Sequence, residues 1–161
     1  MIEMFILKYS IIYKLDADLI RAIIAIESSA QSKCIRCEPT LESKGIGYHF
    51  PRESAKNNGL TFEQEKLLQH SSIGSMQILG VRARELGFEG HLLDLCDPEL
   101  GINYGSINLK KLSERYGNDE EKIVAAYNAG SAIKRTSGMY INQGYVDKVF
   151  IKLREYRRLK N

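Results

Sequence analysis

A chain of 161 residues that is 43% hydrophobic and 27% charged has the size and balance of one globular domain with a real core, which excludes disordered and fibrous classes. The net charge of +3 is mild, and its clearest basic cluster, KLREYRRLK, reads as the solvated end of a last helix, so no nucleic-acid partner is expected. No apolar run approaches the roughly 18 residues that cross a bilayer, and the opening MIEMFILKYSIIYKLD lacks the basic start, apolar centre and cleavage site of a signal peptide. A monomer without membrane insertion is the expectation.

In chain order, MFILKYSIIYK forms a first amphipathic segment, and Asp16 or Asp18 caps a helix running through Leu19, Ile20, Ile23 and Ile24 to Glu27. At 3.6 residues per turn, those three isoleucines share the face of Glu27, so a carboxylate sits on the apolar stripe. An ionised carboxylate there is costly unless paired or protonated. Either Glu27 ends the stripe at the surface, or it has work to do.

From about 31 to 59 the pattern breaks into Pro39, Pro51, Gly45, Gly47, Gly59 and Asn57-Asn58, which reads as irregular structure with room for a small hairpin. A long irregular stretch in a compact domain is often a functional lobe or flap, and residues 31–70 are expected to form one. Thr61 with Gln64 matches a capping box ahead of Lys66, Leu67 and Leu68. After the break HSSIGSMQILG, VRARELGF reads as a short helix ending near Gly87.

Asp97-Pro98 signals the start of a helix that carries Ile102, Leu109, Leu112 and Tyr116 and stops at Gly117. Asn118 with Glu121 opens the next, in which Ile123, Val124 and Tyr127 share a face before Gly130. The last, about 144–156, turns Val146, Val149, Phe150 and Leu153 inward. The fold class is mainly α, in a single domain spanning 1–161 with a small irregular or β-containing lobe.

Three cysteines stand at Cys34, Cys37 and Cys96. With His49 or His91 they could supply four zinc ligands, but one CxxC without a partner pair is a weak signal, so buried or incidental thiols are the default and no metal or other cofactor is expected.

Four stretches together carry a family resemblance. IES at 26–28, GSMQI at 74–78, DPELGINYG at 97–105 and AAYNAG at 125–130 resemble, in order and spacing, the motifs of the lytic transglycosylase (SLT-type) domain of the lysozyme-like superfamily. GYVDKV at 144–149 is similar to the tyrosine-valine pair that opens the family's last helix, and the likeness spans roughly 15–156.

The resemblance implies a lysozyme-like fold and an enzyme acting on peptidoglycan glycan strands in the periplasm or cell wall. Such an enzyme cleaves the β-1,4 bond between N-acetylmuramic acid and N-acetylglucosamine and leaves a 1,6-anhydro end. The family's single catalytic glutamate, before a serine, falls on Glu27 and Ser28. Glu27 would protonate the glycosidic oxygen, for which an apolar setting that raises its pKa is suited, and then take the proton of the attacking C6 hydroxyl. The substrate's own N-acetyl carbonyl replaces the second carboxylate that most glycosidases need.

The same resemblance places Gly74, Met76 and Gln77 along the cleft, with Gly74 letting backbone approach a sugar and Gln77 bracing the acetamido group. Ser72 is a hydrogen-bonding neighbour, Tyr127 reaches toward the glutamate or the N-acetyl group, and Asn128 holds its turn. On periodicity alone, Met76 and Tyr127 also read as core.

Three departures stand out. Serine occupies position 75 where the family has leucine, about forty residues are inserted before the GSMQ motif, and Asn142 and Gln143 stand where many members keep an acid. The insert brings Glu38, Glu42, Glu53, His49 and Arg52. A second carboxylate opposite Glu27 at roughly 6.5 to 9.5 Å would point to a hydrolytic muramidase of goose-lysozyme type. A non-catalytic wall-binding part of a virion or secretion machine is the remaining alternative.

Overall fold

A computed structural model describes residues 1–29, 35–38, 41, 45–117 and 119–159. Among them are eight α-helices and one three-stranded antiparallel sheet, a mainly helical architecture with a small β-containing lobe, consistent with a lysozyme-like fold. The chain divides into two compact units, one built from 1, 3–26 and 106–161 and the other from 2 and 27–105.

The first unit is helical. Helix α1 (Ile2–Tyr13) buries Ile6, Tyr9 and Ser10 but leaves Met4, Leu7, Ile11 and Ile12 exposed. The amphipathic reading of this segment is corrected: its apolar residues encircle the helix, so one face cannot hide them all. Helix α2 (Ala17–Glu27) is capped by Asp16, whose Oδ1 accepts from the Asp18 backbone N–H at 2.8 Å. Asp18 is instead buried and pairs with Arg21, which also holds Glu3.

Of the last three helices, the first keeps its expected bounds and the other two shift by a residue or two. Helix α6 (Pro98–Tyr116) begins as read, with Asp97 Oδ1 accepting from the N–H groups of Glu99 and Leu100. Helix α7 (Glu120–Ala129) is capped by Asp119, which accepts from Lys122 N–H at 3.0 Å, and ends at the left-handed Gly130. Asn118, expected as that cap, lies outside the described residues. Helix α8 (Gln143–Arg158) packs on α7 and buries Val146, Val149 and Leu153, whereas Phe150 is half-buried. Arg157 near its end pairs with both Asp16 and Glu120 at 2.6 Å.

The second unit holds the insert. Where irregular chain was expected, Pro51 at the first helical position opens α3 (Pro51–Asn57), which packs on α4 (Phe62–Gln69). The helix escaped notice because PRESAKN lacks an apolar stripe and buries only Ala55. The Thr61–Gln64 capping box of α4 is formed in both directions.

The sheet orders as β1 (Ile35–Cys37), β2 (Ser71–Ile73) and β3 (Ile78–Leu79), with Arg36 opposite Ser72 and Ile73 opposite Ile78. The insert therefore contributes one edge strand, and the hairpin lies in HSSIGSMQILG, which had read as a break. Helix α5 (Gly80–Glu85) follows, then a short 3-10 turn, Leu92–Cys96. Ile73, Ile78, Ala83, Phe88, Leu92 and Leu95 form this unit's core.

Candidate active site

Glu27 is the last residue of α2, and the stripe before it is fully buried, with Ile20 and Ile23 at 0% exposure and Ile24 at 2%. Glu27 itself is half-buried, at the edge of that apolar ground. The next residue, Ser28, is buried and donates its hydroxyl to the Ser75 carbonyl at 2.7 Å, and Ser29 turns left-handed at φ 51°. This bond spans 47 positions and fastens the chain just after Glu27 to the GSMQ turn.

That turn joins β2 to β3. Gln77 N–H donates to the Gly74 carbonyl at 3.1 Å, and Gln77 Nε2 donates to the same oxygen at 3.0 Å, so backbone and side chain close the loop together. Gly74 and Gln77 both have positive φ, 78° and 47°. The space a Cβ at Gly74 would fill belongs to the Leu95 carbonyl oxygen, 2.1 Å away, which alters the expected reason for that glycine: packing inside the unit demands it, and no sugar is needed to explain it. Met76 is wholly buried, and a Cβ on Gly105 would come within 2.4 Å of its sulfur, so Met76 backs the turn from inside as the core reading anticipated.

Ser72, on β2, is buried and donates to Glu38 Oε1 at 3.2 Å. Glu38 also pairs with Arg36 at 2.6 Å, and its backbone N–H reaches the His70 carbonyl. Of the other insert acids, Glu53 is exposed in the first turn of α3, and Glu42 lies outside the described residues. Tyr104, within DPELGINYG, stacks edge-to-face on Phe88 at 4.9 Å, and burial together with Glu89 pushes its phenol up from the ordinary value.

The remaining candidates belong to the helical unit. Tyr127 is half-buried on α7 and Asn128 is exposed. Asn142, which sequence reasoning noted only as a missing acid, holds Asn128: its Nδ2 donates to Asn128 Oδ1 at 2.9 Å and to the Ala125 carbonyl at 3.0 Å. Its own Oδ1 is buried with no hydrogen-bond partner. Gln143 receives Tyr140 N–H and donates to Asp147, which fixes the start of α8. The structure thus brings Glu27, Ser28, Ser72, Met76 and Gln77 into one unit and Tyr127, Asn128 and Asn142 into the other.

Cys34 lies outside the described residues; Cys37 is exposed and Cys96 half-buried. Among the described residues no cluster of three His, Cys, Asp or Glu side chains could hold a metal, and no helix is long and apolar enough to cross a membrane.

Compared with protein families, the chain matches the transglycosylase SLT domain over residues 4–144. Compared with curated proteins and with solved structures, it matches none.

Proposed function

The chain belongs to the transglycosylase SLT domain family, and from that premise we propose that it is a peptidoglycan lytic transglycosylase with Glu27 as its one catalytic acid and base. The observation that carries this is the Ser28–Ser75 hydrogen bond, because it joins the helix end bearing Glu27 to the turn bearing Gln77 across a long stretch of sequence. A proton donor must be held still to be useful, and this bond fixes the backbone next to the acid.

In the proposed reaction the Glu27 carboxyl gives its proton to the glycosidic oxygen as the C1–O bond of N-acetylmuramic acid breaks. The carbonyl oxygen of the 2-acetamido group stabilises the charge developing at C1. The C6 hydroxyl oxygen then bonds to C1, and its proton returns to Glu27. No water is consumed, and the carboxyl ends as it began. Gln77 and Ser72 are assigned to orienting the muramyl ring. The site of action would be the bacterial wall.

Digestion of purified sacculi followed by mass spectrometry tests this. The expected ends are lighter by one water than hydrolysed ends. A second reading is favoured by one observation, the Glu38 carboxylate poised on Ser72 beside the GSMQ turn: reducing ends alone would make the protein a hydrolytic muramidase with Glu38 as the base for water. An intact wall would point instead to a non-catalytic wall-binding role.

A further inference from the structure

The insert carries several aromatic rings, one of them held out in solvent. Phe50 is 65% exposed, stands at φ 41° and ψ 51°, and meets His49 edge-to-face at 4.6 Å. Tyr48 stacks on His70 at 4.2 Å, with Lys66 5.0 Å over the Tyr48 ring, and Arg52 lies 4.7 Å over Phe62. A single exposed apolar residue means little. A bulky aromatic in the left-handed region is different, because its Cβ is crowded there and the conformation persists only where neighbours enforce it.

The enforcement is visible. Gln69, at 0% exposure, accepts from His49 N–H at 2.7 Å and donates to the His49 carbonyl at 2.9 Å, gripping the residue before Phe50 on both sides. Gln69 is steadied in turn by Glu65, which is buried and bonded to Arg84 through both carboxylate oxygens. A fully satisfied buried polar network specifies one geometry, and here that geometry holds an aromatic out toward solvent.

We propose that Phe50, with His49 beside it, is a saccharide-stacking subsite that takes the C–H face of an N-acetylhexosamine ring of the glycan strand. A pyranose offers one flat face of weakly positive C–H groups and a rim of hydroxyls and amides. An aromatic face carries the matching negative quadrupole, and the His49 ring against Phe50 supplies a polar neighbour for the rim. Along the chain the platform is followed by His70, which stacks on Tyr48 and precedes β2 with Ser72. The inference rests on the proposed function and adds a grip on the substrate.

The chain contains no tryptophan, so Phe50→Trp installs a single reporter. In that variant the emission is expected to shift to the blue and to saturate when soluble N-acetylglucosamine oligomers are added. In a Glu27→Gln background, which leaves the wall uncut, Phe50→Ala should weaken pelleting with purified sacculi by roughly tenfold, as expected for loss of an aromatic anchor. An emission that ignores the oligomers, or pelleting equal to that of Glu27→Gln alone, overturns the subsite while the wild-type protein still cleaves sacculi. A wild-type protein that neither binds nor cleaves them overturns this inference and the proposed function together.

Discussion

The two units bury polar groups in different amounts and for different reasons. The helical unit hides Ser10, Asp18, Ser106 and Asn108, whereas the unit of 27–105 hides Glu65, Gln69, His70, Ser72, Gln77 and Arg84 among others. Helices satisfy their own backbone, so a helical unit can close over apolar side chains. Short strands and loops cannot, and buried side chains must complete their hydrogen bonds. Arg84 shows this directly: it ties Glu65 and also donates to the carbonyls of Phe88 and Gly90, both at 2.7 Å. Gln69 does the same for both backbone groups of His49. The difference teaches that burial of a charge does not by itself mark catalysis, because Glu65, more deeply buried than Glu27, is tied to Arg84 and Gln69 in a network that holds backbone.

The comparison is sharpened most by Glu27→Gln. If Glu27 is the working carboxylate, wall cleavage should fall by about two to four orders of magnitude with the fold intact, measured as release of soluble muropeptides alongside a thermal melt. A loss of less than about tenfold would return Glu27 to the merely structural class. Arg84→Met tests the other side. It strands Glu65 as a buried charge and should cost about 3–5 kcal/mol of unfolding free energy in urea, with Glu65→Met in addition recovering most of the loss. If the single change is neutral, the network is not what holds the insert.

In the helical unit the expected effects are smaller. Tyr127→Phe removes one hydroxyl and leaves the packing, so cleavage should fall by no more than about tenfold, consistent with one hydrogen bond of about 1 kcal/mol. Asp119→Ala removes the α7 cap and should cost about 1 kcal/mol near neutral pH. The Lys122 side chain and then its backbone N–H hold the Asp119 carboxyl below its ordinary value of 3.8. A lowered carboxylate stabilises the fold above its unfolded value and loses that contribution as pH falls through the folded one. The gap between wild type and Asp119→Ala should therefore close on acidification below about pH 4, which melts across a pH series would follow.

The sequence by itself determined the helical punctuation and the residues of the proposed chemistry. Thr61, Asp97-Pro98, Gly117 and Gly130 are legible, and Asp16 as one of two candidate caps, because caps and stops are local, a side-chain oxygen or a missing Cβ acting within one turn. Glu27 is legible because an apolar stripe with a carboxylate on it is a one-helix pattern. The β2–β3 hairpin in HSSIGSMQILG, the pairing of β1 with β2 across the insert, the helix hidden in PRESAKN, the grip of Asn142 on Asn128 and the burial of Glu65 were decided by tertiary structure alone. FEQEKLLQ looks like a solvated helix, and nothing near Glu65 in the chain announces Arg84, 19 positions on. The cause is physical: a cap needs only its neighbours, whereas strand pairing and the burial of a charge depend on partners that folding brings from far along the chain.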